Sequence, residues 1–125
     1  SDTGGSIRSP ASYCGVVGLK PTYGRVSRHG VVPLAWSLDH AGPRTRTVRD
    51  TALLYDATAG FDPSDPASVN QPFEPTAMRL EREVVGLRVG IVNEFFDHCV
   101  EPEVRQVALA AVRQLEALKV EVVPV

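Results

Sequence analysis

The amino-acid sequence predicts an α/β fold, because a strand, an amphipathic helix and a second strand follow one another towards its C-terminal end. Residues 87–92 are rich in β-forming residues, and a second apolar run covers residues 120–125. Between them, apolar residues recur every three or four positions after Pro102, which is typical of a helix with one buried face. This order within about 40 residues favours a βαβ unit with parallel strands.

The composition is that of a globular domain. Of the 125 residues, 43% are hydrophobic and 22% are charged, and the formal net charge is −2. These values exclude a disordered tail, a coiled coil and a collagen-like repeat, and they provide no general basic field for nucleic acid. No apolar run approaches the roughly 20 residues of a membrane span, so a membrane is not an expected partner.

One further helix is predicted near the middle of the chain. Thr47 is an N-cap residue, and the acidic Asp50 follows three positions later, which is close to a capping box. Apolar residues then recur at helical spacing until Gly60, a typical C-terminal stop. We expect a helix over residues 48–59.

Four prolines then interrupt the pattern, at positions 63, 66, 72 and 75. Proline at that density is incompatible with a helix interior or a central strand. The expected organisation is one partial domain over residues 1–125. Its parts are a turn-rich core over 1–60, an extended connection over 61–80 and the βαβ unit over 86–125.

Both ends of the sequence resemble truncation points rather than natural termini. It begins at Ser1 without an initiator methionine or a signal-peptide pattern, and it ends at Val125 within an apolar run. We therefore expect a fold that is incomplete at both ends.

The cysteines and histidines do not form a metal-binding pattern. Cys14 and Cys99 are far apart, and His29, His40 and His98 lack partners at ligand spacing. We predict no metal site, free cysteines buried as small apolar residues, and a reducing, cytoplasmic compartment.

The chemically informative stretch is the turn Gly4-Gly5-Ser6. Two glycines permit a turn whose backbone N–H groups converge on an anion, and Ser6 places a hydroxyl beside them. Acyl transfer needs this combination of nucleophile and donors, although Gly-Gly-Ser also occurs in many ordinary loops. Asp2 and Arg8 flank the turn with opposite charges, and we expect them to pair and support the loop.

A short helix is predicted to follow the turn. Ser9 and Pro10 are typical of the N-cap and first helical positions, which predicts a helix over residues 11–14 that ends at Gly15. Ser6 then lies outside the helix and has no capping role.

A longer pattern around the turn resembles the amidase signature family. It comprises Asp2-Thr3-Gly4-Gly5-Ser6-Ile7-Arg8, Cys14-Gly15-Val16-Val17-Gly18-Leu19-Lys20-Pro21-Thr22 and Ser37-Leu38-Asp39-His40-Ala41-Gly42-Pro43. The match is dense over residues 1–66 and looser through the βαβ unit. It implies a portion of the amidase signature fold, a mixed sheet covered by helices.

The resemblance implies a serine amidase that cleaves carboxylic amide C–N bonds through an acyl-Ser6 intermediate. Ser6 takes the position of the nucleophile in a Ser–cis-Ser–Lys triad. The backbone N–H groups of Thr3, Gly4, Gly5 and Ser6 take the positions of the oxyanion hole. The resemblance implies no metal or organic cofactor, and the expected partner is a small-molecule amide.

Two members of that triad have no counterpart in this sequence. In the family, the bridging serine and the lysine precede the nucleophile. The lysines here are Lys20 and Lys119, and Lys20 matches a structural position. Because an unassisted serine hydroxyl is a poor nucleophile, we expect the chain alone to be inactive.

Two alternative functions are open. One is the catalytic component of glutamyl-tRNA(Gln) amidotransferase, the only alternative with a nucleic-acid partner; that component usually carries Gln at the position of His40. The other is a non-catalytic α/β module that kept the loop and lost the triad.

Three aromatic side chains are further candidates for a pocket. We interpret Trp36 as a core or pocket-wall residue. Phe95 and Phe96 follow the end of a predicted strand, where we expect packing, with a substrate wall as the alternative.

Overall fold

The computed structural model of the protein describes residues 1–94 and 100–125. The chain divides into two compact units, Ser1–Glu81 and Arg82–Val125. The roles predicted for Phe95, Phe96, His98 and Cys99 fall outside the described residues.

The first unit contains two helices and a two-stranded sheet. Helix α1 covers Arg8–Tyr13 and helix α2 covers Val48–Thr58. Strands β1 (Val17–Gly18) and β2 (Arg44–Thr45) pair in antiparallel fashion, which joins the segments that lead out of α1 and into α2.

Helix α2 confirms the prediction from its capping residues. Thr47 is the N-cap, and its hydroxyl accepts a hydrogen bond from the Asp50 N–H at 3.1 Å. The helix ends at Thr58, one residue before the predicted end, and Gly60 follows the C-cap residue.

Helix α1 begins three residues earlier than predicted. It starts at Arg8 with Ile7 as the N-cap, and the Ser9 N–H already donates to the Gly5 carbonyl oxygen at 2.7 Å. The prediction of Ser9 as the N-cap is therefore wrong. The physical reason is that the Asp2 carboxylate accepts the Ile7 N–H at 3.1 Å, so a side chain from outside the helix satisfies this donor.

Cys14, predicted to be buried, is exposed and free. It is the C-cap of α1, and the one residue that α1 buries is Ala11. The last turn of α1 thus faces solvent, and the neighbouring Tyr13 is 92% exposed.

The interior of the first unit is small and partly polar. Its buried apolar residues are Ile7, Ala11, Pro21, Pro43 and Ala52. A Cβ atom added at Gly18 would lie 2.7 Å from the Cβ of Ala11, so this close approach of β1 to α1 requires glycine. The interior also holds four polar residues: Asp2, Asp39, Thr51 and Asp65.

The proline-rich segment is irregular apart from one 3₁₀ turn at Ala77–Arg79. Its aspartates attach it to the rest of the first unit. The buried Asp65 accepts the Arg28 N–H at 2.8 Å, and Asp62 accepts the Ser27 hydroxyl at 2.6 Å. Polar contacts therefore hold this segment in place where apolar packing is sparse.

The second unit confirms the predicted strand–helix–strand order. Strand β3 covers Arg88–Ile91, helix α3 covers Pro102–Ala117 and strand β4 covers Glu121–Pro124. Strands β3 and β4 pair in parallel, with Arg88 opposite Glu121.

The apolar face of α3 is only partly covered. Ala108 and Leu115 are half-buried, whereas Val104, Val107 and Leu118 are all more than half exposed. Strands of four residues span about half the length of a 16-residue helix, so a two-stranded sheet cannot cover it. Within the described part of the chain, no helix has the length and apolar character needed to cross a membrane.

Candidate active site

A buried carboxylate organises the turn that carries Ser6. Asp2 is fully buried and accepts hydrogen bonds from the backbone N–H groups of Gly5 at 2.7 Å and Ile7 at 3.1 Å. Arg8 donates to the same carboxylate from Nε and Nη2, each at 3.1 Å. The Arg8 guanidinium and these two N–H groups hold the pKa of the Asp2 carboxyl well below its usual range, although burial opposes them. The structure thus pairs the two charges that flank the turn.

Ser6 lies at the exposed side of this turn, directly before the N-cap of α1. Among the described residues, its hydroxyl has no hydrogen-bond partner. The preceding Gly5 has φ +139°, and a Cβ atom there would lie 2.8 Å from the Ser9 hydroxyl oxygen, so the turn requires glycine. A free, exposed hydroxyl on a braced turn is suited to nucleophilic attack once a base removes its proton.

Three of the four predicted oxyanion donors are unoccupied. The N–H groups of Thr3, Gly4 and Ser6 meet no acceptor in the part of the chain that the structure describes. The Gly5 N–H, by contrast, donates to Oδ1 of Asp2 in a buried hydrogen bond. The inclusion of Gly5 therefore needs correction, because a donor held by a buried carboxylate is not available to a substrate oxygen. The turn offers three donors.

Asp39 connects a second segment to this turn. It is 4% exposed, and its Oδ1 accepts the Thr3 hydroxyl at 2.5 Å. Its Oδ2 accepts the N–H groups of Leu34 at 2.8 Å and Ala35 at 3.0 Å. The Thr3 hydroxyl and these N–H groups hold the pKa of the Asp39 carboxyl below its ordinary value. The sequence motif marks Asp39, but nothing in the sequence pairs it with a residue 36 positions away.

His40 lies against the same end of the turn. Its backbone pairs with Asp2 through two hydrogen bonds of 2.8 and 2.9 Å. Its ring Nδ1 lies 2.6 Å from the Leu38 carbonyl oxygen, and its Nε2 lies 3.2 Å from Nζ of Lys20. Lys20 also donates to the Pro21 carbonyl oxygen at 3.0 Å. These contacts give Lys20 a structural role and do not connect it to Ser6.

A cavity of about 240 Å³ lies beside Asp39. Arg28 forms part of its wall and donates from Nη1 to the carbonyl oxygens of Trp36 at 2.8 Å and Asp39 at 3.2 Å. The guanidinium also lies 4.7 Å from the Tyr23 ring centre. Trp36 lines the cavity and is 71% exposed, so it is a wall residue rather than a core residue.

No metal cluster is formed by the described residues. Across 1–94 and 100–125, no three His, Cys, Asp or Glu side chains lie close enough to hold an ion. The carboxylates near the turn are instead occupied by hydrogen-bond donors, as in Asp2 and Asp39.

Comparison with known proteins identifies the family and supports the fold. The family model described as Amidase matches residues 1–125. The A subunit of glutamyl-tRNA(Gln) amidotransferase from Akkermansia muciniphila is 52% identical over all 125 residues, which cover 27% of that protein. The chain spans about a quarter of the length of the curated relatives it matches.

Two solved structures extend the comparison to three dimensions. The A subunit of glutamyl-tRNA(Gln) amidotransferase from Thermotoga maritima has a TM-score of 0.93 and 44% identity, over 99% of this chain and 27% of that one. A bacterial aryl acylamidase of the amidase signature enzymes has a TM-score of 0.82 and 33% identity, over 99% and 26%. The chain thus shares its α/β fold with a class of proteins that includes an aryl acylamidase and an amidotransferase subunit. The chain belongs to the amidase signature family.

Proposed function

We propose that Ser6 is the nucleophile of a serine amidase and is acylated by the substrate. The observation that carries this proposal is the exposed, unpaired Ser6 hydroxyl on a turn with three unoccupied N–H groups. The hydroxyl oxygen attacks the amide carbonyl carbon, and its proton passes through a base to the leaving amine as the C–N bond breaks. Water or another amine then attacks the acyl-Ser6 ester, releases the product and returns the proton to Ser6.

The N–H groups of Thr3, Gly4 and Ser6 stabilise the negative oxygen that forms during attack. Removal of one such donor typically lowers kcat by roughly 10²- to 10³-fold. The buried Asp2 carboxylate supports this arrangement through its hydrogen bonds to the turn, and it is not the base. Its oxygens already accept four hydrogen bonds, and its lowered pKa makes it a weak proton acceptor.

The base belongs to a part of the enzyme outside these 125 residues. Lys20 is engaged by His40 and Pro21, and its contacts do not connect it to Ser6. By family resemblance, a lysine and a bridging serine complete the triad. The chain by itself therefore does not hydrolyse amides.

Labelling with a fluorophosphonate probe tests this assignment. We expect intact-mass analysis to show one adduct on the complete protein encoded by the parent reading frame, and none on the 125-residue chain. Ser6→Ala should abolish the adduct. The matched control Ser12→Ala alters an exposed hydroxyl of α1 and should leave it unchanged. An adduct that survives Ser6→Ala contradicts the assignment of Ser6 as the nucleophile. An adduct on Ser6 of the isolated chain contradicts the placement of the base outside these 125 residues.

A second candidate is the catalytic component of glutamyl-tRNA(Gln) amidotransferase. The relatives at 51–53% identity carry the name of its A subunit, and so does the solved structure with a TM-score of 0.93. In this function the acyl-Ser6 chemistry is the same. The ammonia released from one amide attacks the side-chain carboxyl of a glutamyl group on tRNA, after another component of the complex has activated that carboxyl so that its oxygen can leave. His40, where that component usually carries Gln, is the position that departs from it.

The two candidates differ in the acceptor that completes the reaction. The complete protein is assayed for ammonia release from small carboxamides, and separately for amide formation on glutamyl-tRNA(Gln) with the other components of the complex present. Ammonia release that needs no tRNA or partner supports the amidase. Amide formation on the tRNA, lost in Ser6→Ala, supports the amidotransferase.

A further inference from the structure

We propose that Asp39 is a positioning residue for the oxyanion donors and that it acts through its hydrogen bond from the Thr3 hydroxyl. This inference rests on the function proposed for Ser6. It names the contact that orients the peptide group between Thr3 and Gly4, whose N–H is one of the three donors.

Asp39 is suited to this role because it is itself fixed. Asp39 is 4% exposed, and its second carboxylate oxygen accepts the backbone N–H groups of Leu34 and Ala35. Its own carbonyl oxygen accepts Nη1 of Arg28 at 3.2 Å. An acceptor held on several sides restricts the Thr3 hydroxyl that donates to it, and therefore the Thr3 backbone.

The donor loop has few other restraints. Gly4 is exposed, and a Cβ atom added there would meet nothing within 4 Å, so the space on its side-chain face is open. The Asp2 carboxylate anchors the C-terminal end of the loop, where it accepts the N–H groups of Gly5 and Ile7. Between the two anchors, the side chain of Thr3 makes the contact that limits rotation of the intervening peptide group.

The Thr3–Asp39 bond is not needed to attach the two segments. The backbone of His40 pairs with that of Asp2 through two hydrogen bonds, independently of any side chain. Loss of the Thr3 hydroxyl should therefore misplace the donors and leave the segments joined. The consequence is a defect in transition-state stabilisation rather than in substrate binding.

The test uses the complete protein of the parent reading frame and small carboxamides as substrates. Thr3→Val keeps the shape of the side chain and removes its donor. We expect kcat to fall roughly 10- to 100-fold with KM within about twofold, which is the signature of a contact that acts in the transition state. Thr3→Ser restores the hydroxyl and should recover kcat to within about threefold. Rates are divided by the number of active sites, titrated with a fluorophosphonate.

A double variant tests whether Asp39 acts through Thr3, and Ser6→Ala serves as the control. In the double variant Thr3→Val with Asp39→Asn, kcat should lie within about twofold of that of Thr3→Val alone, because Thr3→Val has already removed the hydrogen bond between the two side chains. If Thr3→Val does not fold, Thr3→Ala is judged by the same criterion. A kcat of Thr3→Val within twofold of wild type overturns the inference. Ser6→Ala, assayed alongside, separates the two proposals: activity retained there overturns the proposed function instead.

Discussion

Replacement of Asp2 by asparagine tests whether one buried carboxylate holds the Ser6 turn. The carboxylate accepts four hydrogen bonds, two from backbone N–H groups and two from Arg8. Asparagine keeps one acceptor oxygen and places an NH₂ group where the other oxygen was. That NH₂ group faces the N–H of either Gly5 or Ile7, so one buried donor loses its acceptor.

The loss of stability expected for Asp2→Asn follows from these contacts. A buried N–H group without an acceptor costs about 1–3 kcal/mol. The loss of charge-assisted bonds from Arg8 adds to this cost, but its side chain is 52% exposed and solvent compensates much of that share. We expect Asp2→Asn to lower the free energy of unfolding by about 2–4 kcal/mol.

Urea unfolding at pH 7 measures the effect, with the fluorescence of Trp36 as the probe. Trp36 is the one tryptophan of the chain and lies in the first unit, so it reports on the unit that is altered. Asp50→Asn is the matched control, because it neutralises an exposed carboxylate in the first turn of α2 and should cost less than about 1 kcal/mol. If Asp2→Asn is no more destabilising than Asp50→Asn, the reasoning about the buried carboxylate is wrong.

Three further predictions concern the same unit. The pKa of Asp2 in the folded chain lies below its unfolded value of about 3.9, so the unfolded chain binds more protons in acid. The stability that this group contributes is present above about pH 4 and is lost as pH falls through the folded value. The difference in unfolding free energy between wild type and Asp2→Asn should therefore shrink below about pH 4; a constant difference down to about pH 2 is the contrary result. Gly18→Ala places a Cβ atom 2.7 Å from that of Ala11 and should cost about 1–3 kcal/mol in the same urea assay, whereas an unchanged midpoint would show that α1 moves aside freely. Thr47→Ala removes the N-cap acceptor of α2 and should cost about 1 kcal/mol, with Thr47→Ser retaining most of the wild-type stability.

The elements that could be predicted from the sequence are those whose signals are local. Helix α2 follows from Thr47, its own N-cap, and from a stop before Gly60. The βαβ unit follows from two apolar runs around a helix with one apolar face. In each case the residues that determine the element lie within it or next to it. The Ser6 turn is likewise recognisable, because a family motif of adjacent residues marks it.

The tertiary structure decided the features that depend on partners distant in the chain. Asp2 accepts the N–H of Ile7, the N-cap of α1, and the N–H of Gly5. These contacts explain why α1 begins earlier than predicted and why three of the four N–H groups predicted for an oxyanion hole lack an acceptor. The contact of Thr3 with Asp39 spans 36 positions and has no sequence signature. A hydrogen bond depends on distance and angle in space, and only the folded backbone brings such groups within reach. Sequence alone therefore determined the family, the candidate nucleophile and the local elements. The folded structure determined which N–H groups of the Ser6 turn lack an intramolecular acceptor and which buried carboxylates hold the turn in place.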